Sequence, residues 1–168
     1  MQPAPIDAET KVAQDPGDHK AELRLWLRLL TCTKLIENEV RRKLRRDFDF
    51  TLSRFDLLAQ LDKASDGMVL GEVSKRLMVS PGNVTSLVER LIESGHISRF
   101  PSERDGRMQI IRLTEKGRKE FRRMARAHGD WIGEMFGDLS PSEIDELMQA
   151  LAGLKQSVLA GIEDGRDE

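Results

Sequence analysis

Residues 80–114 read SPGNVTSLVERLIESGHISRFPSERDGRMQIIRLT, and this stretch decides the fold. Ser80 followed by Pro81 is a strong helix start: a capping hydroxyl, then a proline at the first helical position, where its missing N–H has no intrahelical partner to lose. Val84, Leu87, Val88, Leu91 and Ile92 recur at helical spacing on one face. Gly95 suits the left-handed residue that closes a helix. Ile97–Phe100 and Met108–Leu113 bracket a charged loop containing Gly106, a pattern that predicts a β-hairpin. Thr114 is placed to cap whatever helix follows.

Upstream, MVLGEVSKRLM at 68–78 predicts a brief strand and then a short helix with Leu70, Val73 and Leu77 inward. A further helix fits 51–64, with Leu52, Phe55, Leu58 and Leu61 on one face and Thr51 or Ser53 as its cap. From about 19 to 47 a long helix carries two adjacent apolar stripes, Leu23, Leu27 and Leu30 beside Trp26, Leu29, Ile36, Val40 and Leu44. Downstream, a long helix turns Phe121, Met124, Ala125, His128, Trp131, Ile132 and Met135 inward. SPSE at 140–143 is a capping box that opens a last helix through Ile144, Leu147, Met148, Leu151, Leu154 and Val158.

The fold class expected is therefore mainly α with a small β wing. Two short helices across a tight turn, followed by a hairpin, describe a winged helix-turn-helix. Residues 51–114 form that module, 19–50 and 115–163 a helical dimerisation region, 1–18 a disordered arm and 164–168 an acidic tail. Dimerisation is expected because the first and last helices carry more apolar face than a compact winged module can cover.

Net charge is −2, but it is segregated. Residues 20–46 hold nine Lys/Arg against three Asp/Glu, residues 70–123 hold twelve against seven, and residues 134–168 hold two against nine. A polyanion responds to the local field, so overall acidity does not exclude nucleic acid. The helix at 81–93 presents a front of small polar groups, Asn83, Thr85 and Ser86, then Glu89 and Arg90. Such a front lets a backbone sink into a major groove, where Asn reads adenine and Ser or Thr reach base or phosphate. Ser80, Pro81 and Gly82 leave free amides at the positive helix end. At the hairpin tip, Arg104 and Arg107 suit an adjacent minor groove, with Asp105 positioning Arg107.

LGEVSKRLMVSPGNVTSLVERLIESGHISRFPSERDGRMQIIRLTEKG, preceded by TLSRFDLLAQL at 51–61, resembles the core of the multiple antibiotic resistance regulator (MarR) family. The family's D-x-R-x(5)-L-T wing signature is matched by Asp105, Arg107, Leu113 and Thr114. The resemblance implies a homodimer that reads two palindromic half-sites in double-stranded DNA. It also implies repression relieved by a small effector, an aromatic acid or its coenzyme A thioester. A pocket for it is expected between the first, second and fifth long helices, lined by Trp26, Leu29, Leu30, Thr33, Phe55, Met124, His128 and Trp131. Arg41, Arg42, Arg45 and Arg46 would pair with the anionic end. The alternative for RRKLRR at 41–46 is a solvated helix end.

Other features are set aside. Cys32 is expected to be a buried small apolar residue rather than a redox switch, and one cysteine excludes an internal disulfide. His19, His96 and His128 lack metal-ligand spacing. No nucleophile elbow or phosphate cradle occurs, so neither enzyme activity nor a cofactor is expected. No run is apolar enough to span a membrane and no signal pattern opens the chain, so a cytoplasmic protein is expected. The competing reading is a winged-helix protein-interaction module that never meets DNA. Large apolar groups on the 83–90 front would favour it.

Overall fold

The computed structural model describes residues 21–77, 81–102 and 108–164. The expected disordered arm, Ser80, the wing-tip residues Arg104, Asp105 and Arg107, and positions 165–168 of the expected tail lie outside them. The elements are α1 (Ala21–Phe48), α2 (Leu52–Asp62), β1 (Met68–Val69), α3 (Leu70–Leu77), α4 (Pro81–Glu93), β2 (Ile97–Pro101), β3 (Gln109–Leu113), α5 (Glu115–Met135) and α6 (Pro141–Asp164). The chain divides into two compact units after Trp131.

In the first unit, α1 is a helix of 28 residues with Arg45 and Arg46 in its last turn, where cations oppose the negative end of the helix dipole. Asp49 ends it at φ +50°, one of the few non-glycine residue types that adopt this conformation readily. Its N–H donates to the Arg45 carbonyl and that of Phe50 to the Leu44 carbonyl, which turns the chain into α2. Thr51, not Ser53, is the cap of α2, its hydroxyl accepting from the Arg54 N–H.

The sheet is antiparallel with order β1-β3-β2. Pro101 pairs with Gln109 on β2, an edge strand that tolerates a missing donor. The Ser102 N–H donates to the Met108 carbonyl and extends the pairing one step towards the tip. Gly67, at φ +86°, lies so close to β3 that a Cβ would stand 2.6 Å from the Ile111 carbonyl oxygen.

One core joins these elements. Leu44 of α1, Leu57, Leu58 and Leu61 of α2, Val73 of α3, Val84, Val88 and Leu91 of α4, Ile111 of β3 and Met124 of α5 are all fully buried. All but Leu57 come from the apolar positions named above, and helices α2 to α4 thereby hold the hairpin on a fixed base.

The N-terminal half of α1 is different. Thr31 is buried, its hydroxyl donating to the Leu27 carbonyl, but Leu23, Leu25, Trp26 and Leu35 are exposed. Cys32 is also exposed, contrary to the buried position expected.

In the second unit, Ser140 and Glu143 form the capping box: the Ser140 N–H donates to Glu143 Oε2 and the Glu143 N–H to Ser140 Oγ. The Ser140 hydroxyl, which also donates to Glu143 Oε2, and then the Ser140 N–H hold the Glu143 carboxyl below its usual pKa range. Along α6, Ile144, Leu147, Met148, Leu151, Val158, Leu159 and Ile162 are all exposed. No helix among the described residues is long and apolar enough to cross a membrane.

Candidate nucleic-acid interface

Helix α4 separates its two faces cleanly. Val84, Val88 and Leu91 are at most 1% exposed, whereas Gly82, Asn83, Thr85, Ser86, Glu89 and Arg90 face solvent. A Cβ built on Gly82 would meet nothing within 4 Å. The fold itself therefore does not require glycine there.

The C-terminal end of α4 is closed as expected. Gly95 adopts φ +74°, its N–H donates to the Ile92 carbonyl and the His96 N–H donates to the Leu91 carbonyl, the paired bonds of a Schellman motif. Arg99 of β2 pairs with Glu89 of α4, which ties the hairpin to the exposed helix face. On β3, Arg112 Nε donates to the Asp66 carbonyl at 2.7 Å and its guanidinium lies over the Phe100 ring, 5.9 Å from the centroid. The base of the wing is thus held from both sides.

A cleft of about 470 Å³ adjoins this face. It is lined by Arg41 and Arg45 of α1, by Thr51 at the cap of α2 with Ser53 and Asp56 on that helix, and by Asn83, Ser86 and Arg90 of α4. Burial and the nearby Glu37 raise the Asp56 carboxyl above its usual range, with Arg41 opposing them. The guanidinium groups of Arg41, Arg45 and Arg90 in the cleft lining suit an anion.

The expected effector residues divide. Arg41 and Arg45 line the cleft, Arg41 also reaching Asn38 and Glu37, while Arg42 pairs with Glu39 and Arg46 with Asp47. Pairing with Arg42 holds the Glu39 carboxyl below its usual range. Phe55 stacks on Phe121 and His128, with centroids 5.5 and 5.2 Å apart. Met124 and Trp131 are buried, and Trp131 packs beside Phe48. Leu29 and Leu30 are half-buried, Thr33 is exposed, and Trp26 is 56% exposed. The structure thus packs the α2 and α5 members against one another and opens the cleft elsewhere. Thr51, Ser53 and Asp56 line the cleft although the sequence marks Thr51 and Ser53 only as capping candidates.

Residues 48–108 match the family model of the MarR family. A MarR family transcriptional regulator from Silicibacter pomeroyi has a similar structure, with a TM-score of 0.70 and 31% identity over 82% of this chain and 94% of that one. This chain belongs to the MarR family. Its members are transcriptional regulators, not enzymes. The transcriptional activatory protein BadR of Rhodopseudomonas palustris is 30% identical over 150 residues, 86% of this chain and 85% of BadR. FabT of Streptococcus pneumoniae, solved in complex with DNA, is 27% identical with a TM-score of 0.70, covering 83% of this chain and 98% of FabT. Helix α4 and the β2–β3 hairpin are parts of the winged-helix fold of that family.

Proposed function

We propose that the protein is a homodimeric, sequence-specific DNA-binding repressor whose grip on a palindromic operator is released by a small anionic effector, an aromatic acid or its coenzyme A thioester. The observation that carries this reading is the sharing of Asn83, Ser86 and Arg90 between the exposed face of α4 and the cleft walled by Arg41 and Arg45. DNA and an anion in the cleft would compete for the same side chains, so each weakens the other. A ligand releases an operator only through such a difference in affinity between the two states.

On the DNA side, Asn83, Thr85, Ser86 and Arg90 meet base edges and backbone in the major groove, and Ser80, Pro81 and Gly82 bring the helix start against phosphate. The open space around Gly82 supports that role, because nothing inside the protein uses its smallness. Arg104 and Arg107 reach the minor groove with Asp105 holding Arg107, a reading that rests on sequence. The second copy covers the apolar sides of α1 and α6, which a monomer leaves in water. Residues 19–50 and 115–163 are the dimerisation region and 51–114 the DNA-binding module.

The test uses a duplex selected by the protein from a random library. Benzoate, hydroxybenzoates and their coenzyme A thioesters are titrated against the labelled complex, followed by fluorescence anisotropy. Release at millimolar concentration or below is expected, and loss of that release in Arg41→Ala and Arg45→Ala. Retention of the duplex against every compound would refute effector control. Failure to enrich any sequence would refute specific DNA binding. The sign of regulation is checked separately by fusing the selected site to a reporter promoter.

A further inference from the structure

His96 sits where four parts of the first unit meet, and its hydrogen bonds count out a charge. Its side chain is 7% exposed. Nδ1 lies 2.7 Å from Ser94 Oγ and Nε2 lies 2.7 Å from Glu120 Oε2 of α5. The ring packs on Phe50 from the α1–α2 turn, with centroids 5.2 Å apart. The His96 carbonyl accepts from both the N–H and the hydroxyl of Thr114, and Gly117 presses against it so closely that a Cβ would stand 1.9 Å away.

Ser94 has one hydroxyl hydrogen and two claims on it. Its Oγ is 2.8 Å from the Arg90 carbonyl, which can only accept. If Ser94 donates there, its oxygen must accept from Nδ1–H. On the other side an ionised Glu120 can only accept, so Nε2 must also carry a proton. All of these bonds hold at once only for the doubly protonated imidazolium. With a neutral ring, either Ser94 turns its hydrogen to Nδ1, which leaves the Arg90 carbonyl with the Ser94 N–H alone, or a bare Nε2 faces the Glu120 carboxylate.

The geometry points to His96 as a positioning residue for DNA recognition: as the imidazolium it locks the end of the recognition helix to α5, and operator affinity follows its protonation. The inference rests on the DNA-binding reading above. It makes no contact between His96 and DNA, since the ring is enclosed. The joint is also braced by Lys116, whose Nζ donates to the Ser94 carbonyl at 2.8 Å.

Other charges face the joint. On α5, Glu115, Lys116, Lys119 and Arg123 border the surface hollow beside Glu120, and from the α1–α2 turn Asp47, paired with Arg46, and Asp49 border another that Glu120 shares. From α4 and β3 the ring's surroundings supply hydroxyls and carbonyls.

The experiment measures affinity for the selected duplex and for a scrambled duplex between about pH 5.5 and 8. The ratio of the two removes the general effect of charge on phosphate contacts. For the wild type it should fall about fivefold as pH rises, the worth of one hydrogen bond at the helix end. His96→Gln should show a flat ratio. Glu120→Gln should flatten it too, because its amide can donate to a neutral Nε2. Histidine-labelled protein, followed by nitrogen chemical shifts in the same complex, should carry protons on both ring nitrogens at the acid end and lose one over the interval in which the ratio falls. A wild-type ratio independent of pH, or the same slope in His96→Gln, would overturn the inference. So would a ring with a single proton throughout, a result readable on the free protein even if no duplex is ever selected. Failure to select a duplex would itself count against the DNA reading, not against the proton count.

Discussion

Helices α4 and α6 both carry an apolar stripe, and a single chain treats them in opposite ways. On α4 the apolar residues Val84, Val88 and Leu91 vanish into the core and the polar ones are left outside. On α6 the stripe itself is outside, with Met148 65% exposed and Leu147, Leu151 and Val158 near half. Each half-exposed aliphatic side chain leaves on the order of 1 kcal/mol of transfer free energy unrealised. One helix is finished by its own chain and offers chemistry to a partner. The other is unfinished and offers surface. A rigid backing of this kind fixes the exposed polar side chains of α4 in one arrangement.

The comparison breaks most visibly at α6. Leu147→Asp with Leu151→Asp places two carboxylates one turn apart on the exposed stripe. If a second copy covers that stripe, the double variant should lose the dimer and lose stability steeply, since two buried charges without partners are expensive. Light scattering after size exclusion reads the mass, and thermal melts read the stability. An unchanged dimer would remove α6 from the interface.

On the finished side, Gly117→Ala should cost about 3 kcal/mol or more. The added methyl group meets the His96 backbone, which cannot rotate away as a side-chain tip could. Gly71→Ala is the matched control, because a Cβ there meets nothing within 4 Å; it should change stability by at most about 1 kcal/mol, in the stabilising direction. Denaturant midpoints for both would show whether the contact or the helix propensity decides. Equal effects would mean that the joint yields more than its geometry implies.

How much of this was legible in the sequence follows from how local each signal is. The winged module was readable because its marks lie within a few residues of one another: the proline at 81, the 3-1-3-1 apolar spacing, Gly95 at the helix end and Thr114 at the next cap. The Thr114 hydroxyl indeed accepts from the Gly117 N–H. The cleft was only half readable. Arg41 and Arg45 stood out as a basic run, but Ser53 and Asp56 reach them through the Asp49 turn, and Asn83 and Ser86 arrive from 40 residues further on. Helical spacing marks Phe55, His128 and Trp131 as inward, yet spacing cannot say whether the inward space is open or filled by the neighbouring ring. Cys32 shows the same limit from the other side, since an apolar stripe looks identical whether its cover comes from this chain or from none of it. The bonds of His96 join residues 24 apart and depend on a turn, so no pattern announced them.

At the polar face the expected effects are smaller and selective. Asn83→Ala and Ser86→Ala should each cost about 1–3 kcal/mol on the selected duplex and little on a scrambled one. Melting temperature and dimer mass should not move, because both side chains face solvent. Gly82→Ala should likewise leave the fold intact, and its loss of affinity should appear equally on both duplexes if the backbone there approaches phosphate. Parallel losses for Asn83→Ala on both duplexes would deny it a role in reading bases.

The smallest effect belongs to His128, and its direction is fixed by burial. Desolvation holds this histidine below its ordinary value, so the neutral ring on Phe55 is the favoured form. Above about pH 6.5 the ring is neutral in both the folded and the unfolded chain, and it contributes no pH dependence. As the pH falls below that value the unfolded chain takes up the proton first. Stability therefore declines with falling pH until the folded site is protonated too, and levels off below. Water still reaches part of the ring, so the decline should be well under about 1 kcal/mol. Subtracting the pH profile of His128→Gln from that of the wild type isolates this contribution from Asp56, whose raised carboxyl acts in the opposite sense at lower pH. The difference in unfolding free energy should be level above about pH 6.5 and bend downwards beneath it. A difference that bends upwards there would mean that the charged ring is the favoured form, and that the contact with Phe55 tolerates an imidazolium which burial should exclude.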